Sequence, residues 1–127
     1  MRLALDTNAY SATARGEEAI VETVEKADVL YLPFVVLGEL RAGFAVGSKG
    51  AANERGLLRF MSLPDVFVLH STDATSRHYA MLYRQLREQG TPVPTNDLWI
   101  AALVVEHDLV LCSRDAHFAR LPQLRVV

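Results

Sequence analysis

Cysteine and lysine are nearly missing from this chain. Cys112 is the only cysteine in 127 residues, so an internal disulfide is impossible. It ends an apolar run and reads as a small buried hydrophobe. The 13 basic residues include only two lysines, Lys26 and Lys49. Arginine's planar fork suits phosphate, which keeps nucleic acid open as a partner despite a formal charge of −2; ordinary surface charge explains the composition equally well. A glycine-rich phosphate loop, a Gly-x-Ser-x-Gly elbow and a Cys–His pair are absent, which leaves covalent catalysis without a nucleophile. His70, His78, His107 and His117 share no metal-ligand spacing, so zinc is not expected. The longest uncharged apolar stretch, Val29 to Leu37, is interrupted by Pro33 and cannot span a bilayer. Near the N-terminus, Arg2 is followed only by Leu3-Ala4-Leu5 before Asp6, far short of a signal-peptide core. A soluble, cytoplasmic protein is expected, with no membrane partner.

What is present is a strongly apolar chain, 50% hydrophobic. Its length suits a single domain over 1–127, able to bury roughly two-thirds of its unfolded surface. Strand-like runs alternate with helix-like ones. Strands are expected at Leu3–Leu5, Val29–Leu32, Val66–Leu69 and Leu109–Cys112, with an edge strand at Leu124–Val127. A short turn or helix follows Thr7, and helices are expected over Glu17–Ala27, Phe34–Val46, Ala51–Leu63, from Ser71-Thr72-Asp73 to Gln89, and over Asn96–His107. A short helical turn is expected at Ala116–Ala119. This alternation predicts an α/β fold with a mostly parallel sheet of four to five strands, covered on both faces. Ligands of such sheets bind beyond the carboxyl ends of the strands, where the strand order reverses.

Four acids occupy positions that matter in that frame. Asp6 closes the first strand, and Asp115 follows the fourth. Glu39 and Asp97 stand in or at the start of apolar helices. Each has an ordinary explanation: Asp6 and Asp115 could cap the turns they precede, and Asp97 could favour a helix N-terminus. Thr95 and Asn96 already offer caps to that last helix, which turns Asp97 toward a functional role. Glu39 could form an ion pair with Arg41 or another arginine. Yet its side of the helix, level with Val35, Ala42 and Val46, is apolar, and Gly38 and Gly43 would permit close backbone approach. A glutamate in such company is costly unless it is paired or bound to a metal. Bringing the four together without a cation costs on the order of 4 kcal/mol per like pair at ~4 Å and an effective dielectric of ~20. Trp99 reads as core or subunit interface rather than a platform for stacked bases.

Leu5-Asp6-Thr7-Asn8, Pro33 leading to Glu39-Leu40-Arg41-Ala42-Gly43, Pro94-Thr95-Asn96-Asp97-Leu98-Trp99-Ile100-Ala101-Ala102 and Leu111-Cys112-Ser113-Arg114-Asp115-Ala116-His117-Phe118 together resemble the PIN-domain family, and within it the VapC-type toxins. The likeness covers essentially the whole chain. It implies a PIN-like three-layer α/β/α sandwich and an endoribonuclease dependent on Mg²⁺, with Mn²⁺ as a substitute. Asp6, Glu39, Asp97 and Asp115 would hold the metal, and Thr7 and Ser113 would orient them. The implied products carry a 5′-phosphate and a 3′-hydroxyl. A VapB-type antitoxin and a second copy of the chain are the implied partners. The chain departs from the family pattern at His117, where many relatives carry a further acid, and His117 is accordingly left outside the quartet.

Arg41, Arg84, Arg87, Arg114 and Arg120 are candidates for RNA phosphates. Alternatives include a catalytically silent PIN-like module binding RNA or protein. A phosphatase with an aspartyl nucleophile lacks its second acid in Asp6-Thr7-Asn8, and a receiver-like domain lacks a late lysine.

Overall fold

The computed structural model describes residues 1–127. Five strands, β1 (Arg2–Leu5), β2 (Val29–Pro33), β3 (Val66–Leu69), β4 (Val110–Cys112) and β5 (Arg125–Val126), form one sheet in the order β3-β2-β1-β4-β5. Every pairing is parallel. Leu3, Ala4 and Leu5 are all fully buried. Because successive strand residues point to opposite faces, three in a row without exposure means that both faces of β1 are covered. The helices that cover them are α1 (Thr7–Ala14), α2 (Glu18–Glu25), α3 (Phe34–Val46), α4 (Gly50–Met61), α5 (Asp73–Gln89) and α6 (Thr95–Glu106). A 3₁₀ turn spans Ala116–Arg120.

The core joins Leu3, Leu5, Leu32 and Leu111 of the sheet to Val36, Leu57, Leu86, Ile100 and Val104 of the helices. Cys112 belongs to this core and is fully buried, as its apolar run implies. Helix α6 is buried from Leu98 through Val104 except for the half-buried Trp99, the pattern of a helix packed on more than one side. No helix is long and apolar enough to cross a membrane.

Local signals explain most boundaries. Gly90 ends α5 in the left-handed conformation (φ 72°), where a side chain would be strained. Thr75, fully buried, accepts from the Thr72 backbone N–H and donates to Glu106, tying the start of α5 to the end of α6. Three expectations need correction. Thr95 and Asn96 are not caps: they lie inside α6, and Pro94 holds the cap position, supplying a fixed φ instead of a side-chain acceptor. Helix α4 ends at Met61, two residues short of Leu63. Gly38 and Gly43 allow no close approach; both are exposed, and a Cβ on either would meet nothing within 4 Å.

The glycine that the packing does require is Gly50, which opens α4. A Cβ there would collide with the Phe44 carbonyl oxygen at the α3–α4 corner. Gly50→Ala is expected to lower stability by about 1–3 kcal/mol. Gly43→Ala, in an open helical position, should raise it by about 0.5–1 kcal/mol. Thermal melts of the two variants check both signs, and equal shifts would contradict the corner geometry.

Candidate metal centre

The strand order reverses at β1, which lies between β2 and β4. At that switch point Leu5 pairs with Cys112, so the next residues, Asp6 and Ser113, leave the sheet side by side. Asp6 is 5% exposed. Its Oδ1 accepts from the Ala9 backbone N–H at 2.8 Å, capping α1. Its Oδ2 accepts a hydrogen bond from the Ser113 hydroxyl. Ser113 Oγ in turn accepts from the Asp115 N–H at 3.0 Å, which sets the turn carrying the next acid. Capping and site-building are therefore one arrangement at Asp6.

Thr7, the first residue of α1, donates from its hydroxyl to Glu39 Oε1 at 2.7 Å. That bond draws α3 toward the carboxyl end of β1. Glu39 is half-buried rather than enclosed, and the helix side it shares with Ala42 and Val46 faces solvent, Val46 being 88% exposed. The expected apolar enclosure of Glu39 is therefore corrected. So is its pairing with Arg41, whose Nε lies 2.8 Å from Glu54 Oε1 instead. Glu39 borders a cleft of about 500 Å³ whose walls include Phe34, Val35, Asn96 and Trp99. Trp99, half-buried, packs on Tyr79 at 4.1 Å between ring centroids and walls this cleft, instead of filling the core.

Asp97 sits in the first turn of α6, and Asp115 caps the 3₁₀ turn by accepting from the His117 N–H at 2.9 Å. His117 joins them. Its Nδ1 lies 2.8 Å from Asp97 Oδ2 and 3.0 Å from Asp115 Oδ1. This residue, left outside the site on sequence grounds, is the one that bridges two of its acids. The signal that could have found it is its place two residues after Asp115, in a turn too short to carry it elsewhere.

The carboxylates feel one another. Burial pushes the Asp6 carboxyl above its ordinary range; the Ser113 hydroxyl and Ala9 N–H pull it down, and the charges of Asp115 and Asp97 push it up. Burial also raises Asp97, offset by the His117 hydrogen bond and reinforced by Asp115 and Glu39. Asp97 and Asp115 thus act on Asp6, and Asp115 and Glu39 on Asp97, so the four acids are linked pair by pair. Asp97, Asp115 and His117 each offer a donor atom, all within 4.8 Å of one another. A donor set rich in carboxylate oxygen fits a hard divalent cation.

The arginines are engaged with their neighbours. Arg84 pairs with Glu88 at 3.0 Å and Arg114 with Glu17 at 3.5 Å, while Arg120 donates to the Pro92 carbonyl. Arg87 borders a separate cavity of about 250 Å³ with Tyr83 and Leu98.

A family model described as PIN domain matches residues 3–124. The chain belongs to the PIN-domain family, in its VapC branch. It is 34% identical to Ribonuclease VapC4 of Mycobacterium tuberculosis over 73% of this chain and 72% of that one. With Ribonuclease VapC5 of the same organism it shares 32% identity over 92% of this PIN domain and 85% of the relative. The solved structure of VapBC-1 from nontypeable Haemophilus influenzae superposes with a TM-score of 0.86 at 26% identity, covering 100% of this chain and 97% of that one.

A raised carboxyl pKa has a definite consequence for the cation-free protein. Folded Asp6 holds its proton more tightly than the unfolded chain does. Its contribution to stability is therefore favourable at low pH and is lost as pH rises from the ordinary carboxyl range through the raised folded pKa. Asp6→Asn should melt above wild type at pH 7 in the presence of a chelator, and the advantage should shrink as pH approaches 3. A variant that melts lower at pH 7 would mean that the Ser113 and Ala9 hydrogen bonds outweigh burial and repulsion.

Proposed function

We propose that this PIN domain, taken as one unit over 1–127, is a divalent-metal-dependent endoribonuclease. We further propose that it is the toxin of a VapBC-type toxin–antitoxin pair acting in the cytoplasm. The observation that supports this best is the clustering of Asp97, Asp115 and His117 within 4.8 Å of one another beside the switch point, with Asp6 linked to that turn through Ser113 and Glu39 acting on Asp97. The two Mycobacterium relatives carry the name ribonuclease, and the Haemophilus structure is of a VapBC complex.

In this reading Asp6, Glu39, Asp97 and Asp115 hold Mg²⁺, or Mn²⁺ in its place. A divalent cation bound there would neutralise charge on a scissile phosphate and acidify a water molecule for in-line attack. The protein's own part is orientation. Ser113 and the Ala9 N–H hold Asp6 from both oxygens, and Thr7 holds Glu39. Such supports typically govern metal affinity by roughly tenfold or more. Arg114, flanked by Ser113 and Asp115, is the nearest phosphate contact along the chain; Arg41, Arg84, Arg87 and Arg120 would extend the path. The exposed ion pairs of Arg41, Arg84 and Arg114 are worth only about 0–1 kcal/mol and would not withhold these side chains from RNA. Phosphate contacts of this kind position the strand without reading its bases.

The cleft bordered by Phe34 and Trp99, and the exposed Val46, give α3 an apolar face suited to a protein partner. A VapB-type antitoxin and a second copy of the chain are the proposed partners.

Substituting any of the four acids by its amide should reduce RNA cleavage by about a hundredfold or more, the rate equivalent of roughly 3 kcal/mol of charge stabilisation. Thr7→Val and Ser113→Ala should lose about tenfold. Mapping RNA 5′-ends after induced expression checks this: new ends should appear with wild type and vanish with Asp6→Asn. Unchanged ends in that variant would exclude the carboxylate mechanism.

A further inference from the structure

The acidic cluster contains one side chain that is not an oxygen donor. His117 Nδ1 stands 2.8 Å from Asp97 Oδ2 and 3.0 Å from Asp115 Oδ1. Adjacent ligands of an octahedral ion with bonds of about 2.1 Å are roughly 3 Å apart. The nitrogen thus stands from each of the two oxygens as one corner of a coordination shell stands from the next, and the three residues offer donor atoms within 4.8 Å of one another. The ring is held in that position by the turn that carries it. Asp115 caps the His117 N–H at 2.9 Å, and the next residue, Phe118, is anchored in the core at 2% exposure. The side chain itself is 35% exposed, so an ion can reach it without unfolding the turn.

We propose that His117 is a nitrogen ligand to the ion shared by Asp97 and Asp115, and that it biases the site toward transition ions such as Mn²⁺ over Mg²⁺. Imidazole binds first-row transition ions well, whereas Mg²⁺ keeps to oxygen. A ring that only hydrogen-bonds the two carboxylates would leave the site all-oxygen once an ion enters. The assignment rests on the metal-dependent reading above, but it concerns which atom completes the shell and which ion is preferred.

Pulsed electron paramagnetic resonance of the purified full chain with Mn²⁺ alone tests it, using protein labelled with ¹⁵N-histidine. Bound Mn²⁺ should show coupling to a histidine nitrogen, and that coupling should vanish in His117→Gln and His117→Asp. In competition titrations the preference for Mn²⁺ over Mg²⁺ should fall on the order of tenfold in both variants. Asp97→Asn reports on the site itself and should weaken Mn²⁺ binding. Mn²⁺ that binds through Asp97 without nitrogen coupling would overturn the role of His117 and leave the acidic site standing. Mn²⁺ that does not bind wild type, or binds undiminished in Asp97→Asn, would overturn both.

Discussion

The parallel pairing of β1 with β4 is the constraint on which the site depends. Leu5 faces Cys112 across that pair, so Asp6 and Ser113 emerge together from the sheet. A slip of two residues would preserve which face each side chain occupies but would shift one strand along the other by about 6.6 Å. The Ser113–Asp6 hydrogen bond would then be out of reach, and Asp115 would leave the cluster with it. Register is protected by burial: Leu3, Ala4, Leu5, Leu111 and Cys112 are all fully enclosed. The apolar core thereby sets the position of a charged site at its edge.

Around that fixed pair the other acids are drawn in by short polar links. Thr7 brings Glu39, and His117 joins Asp97 to Asp115. Burial first, and the charges of the neighbouring acids after it, raise the carboxyls of Asp6 and Asp97 and disfavour their ionised forms. Stability withheld at a functional cluster is the usual cost of function. Here it is offset by a core that runs through α6 with few interruptions.

Much of this was legible in the chain. Short β-rich runs between amphipathic helices indicated the parallel sheet, and Gly90 and the Ser71-Thr72-Asp73 segment marked the limits of α5. Asp6 and Asp115 could be placed past strand ends because strand ends are local features. Glu39 was harder. The apolar pattern of α3 does not distinguish a face buried in the core from one left open, and the open face is the one that Glu39 shares. Thr95 and Asn96 were read as caps because their side chains favour that role, but the fixed backbone of Pro94 starts the helix earlier. The nearness of His117 to Asp115 follows from their spacing in a short turn, but its meeting with Asp97, 20 residues upstream on another helix, is created only by the packing of α6 against the 3₁₀ turn.

In the proposed site, four carboxylates spread from residue 6 to residue 115 surround one divalent cation centre. Anomalous diffraction at the manganese edge, from crystals of the chain grown with Mn²⁺, tests it directly. Manganese peaks are expected within bonding distance of oxygens from Asp6, Asp97 and Asp115, beside Glu39. A map with ordered acids and no peak among them, or with manganese bound only elsewhere, would contradict the claim.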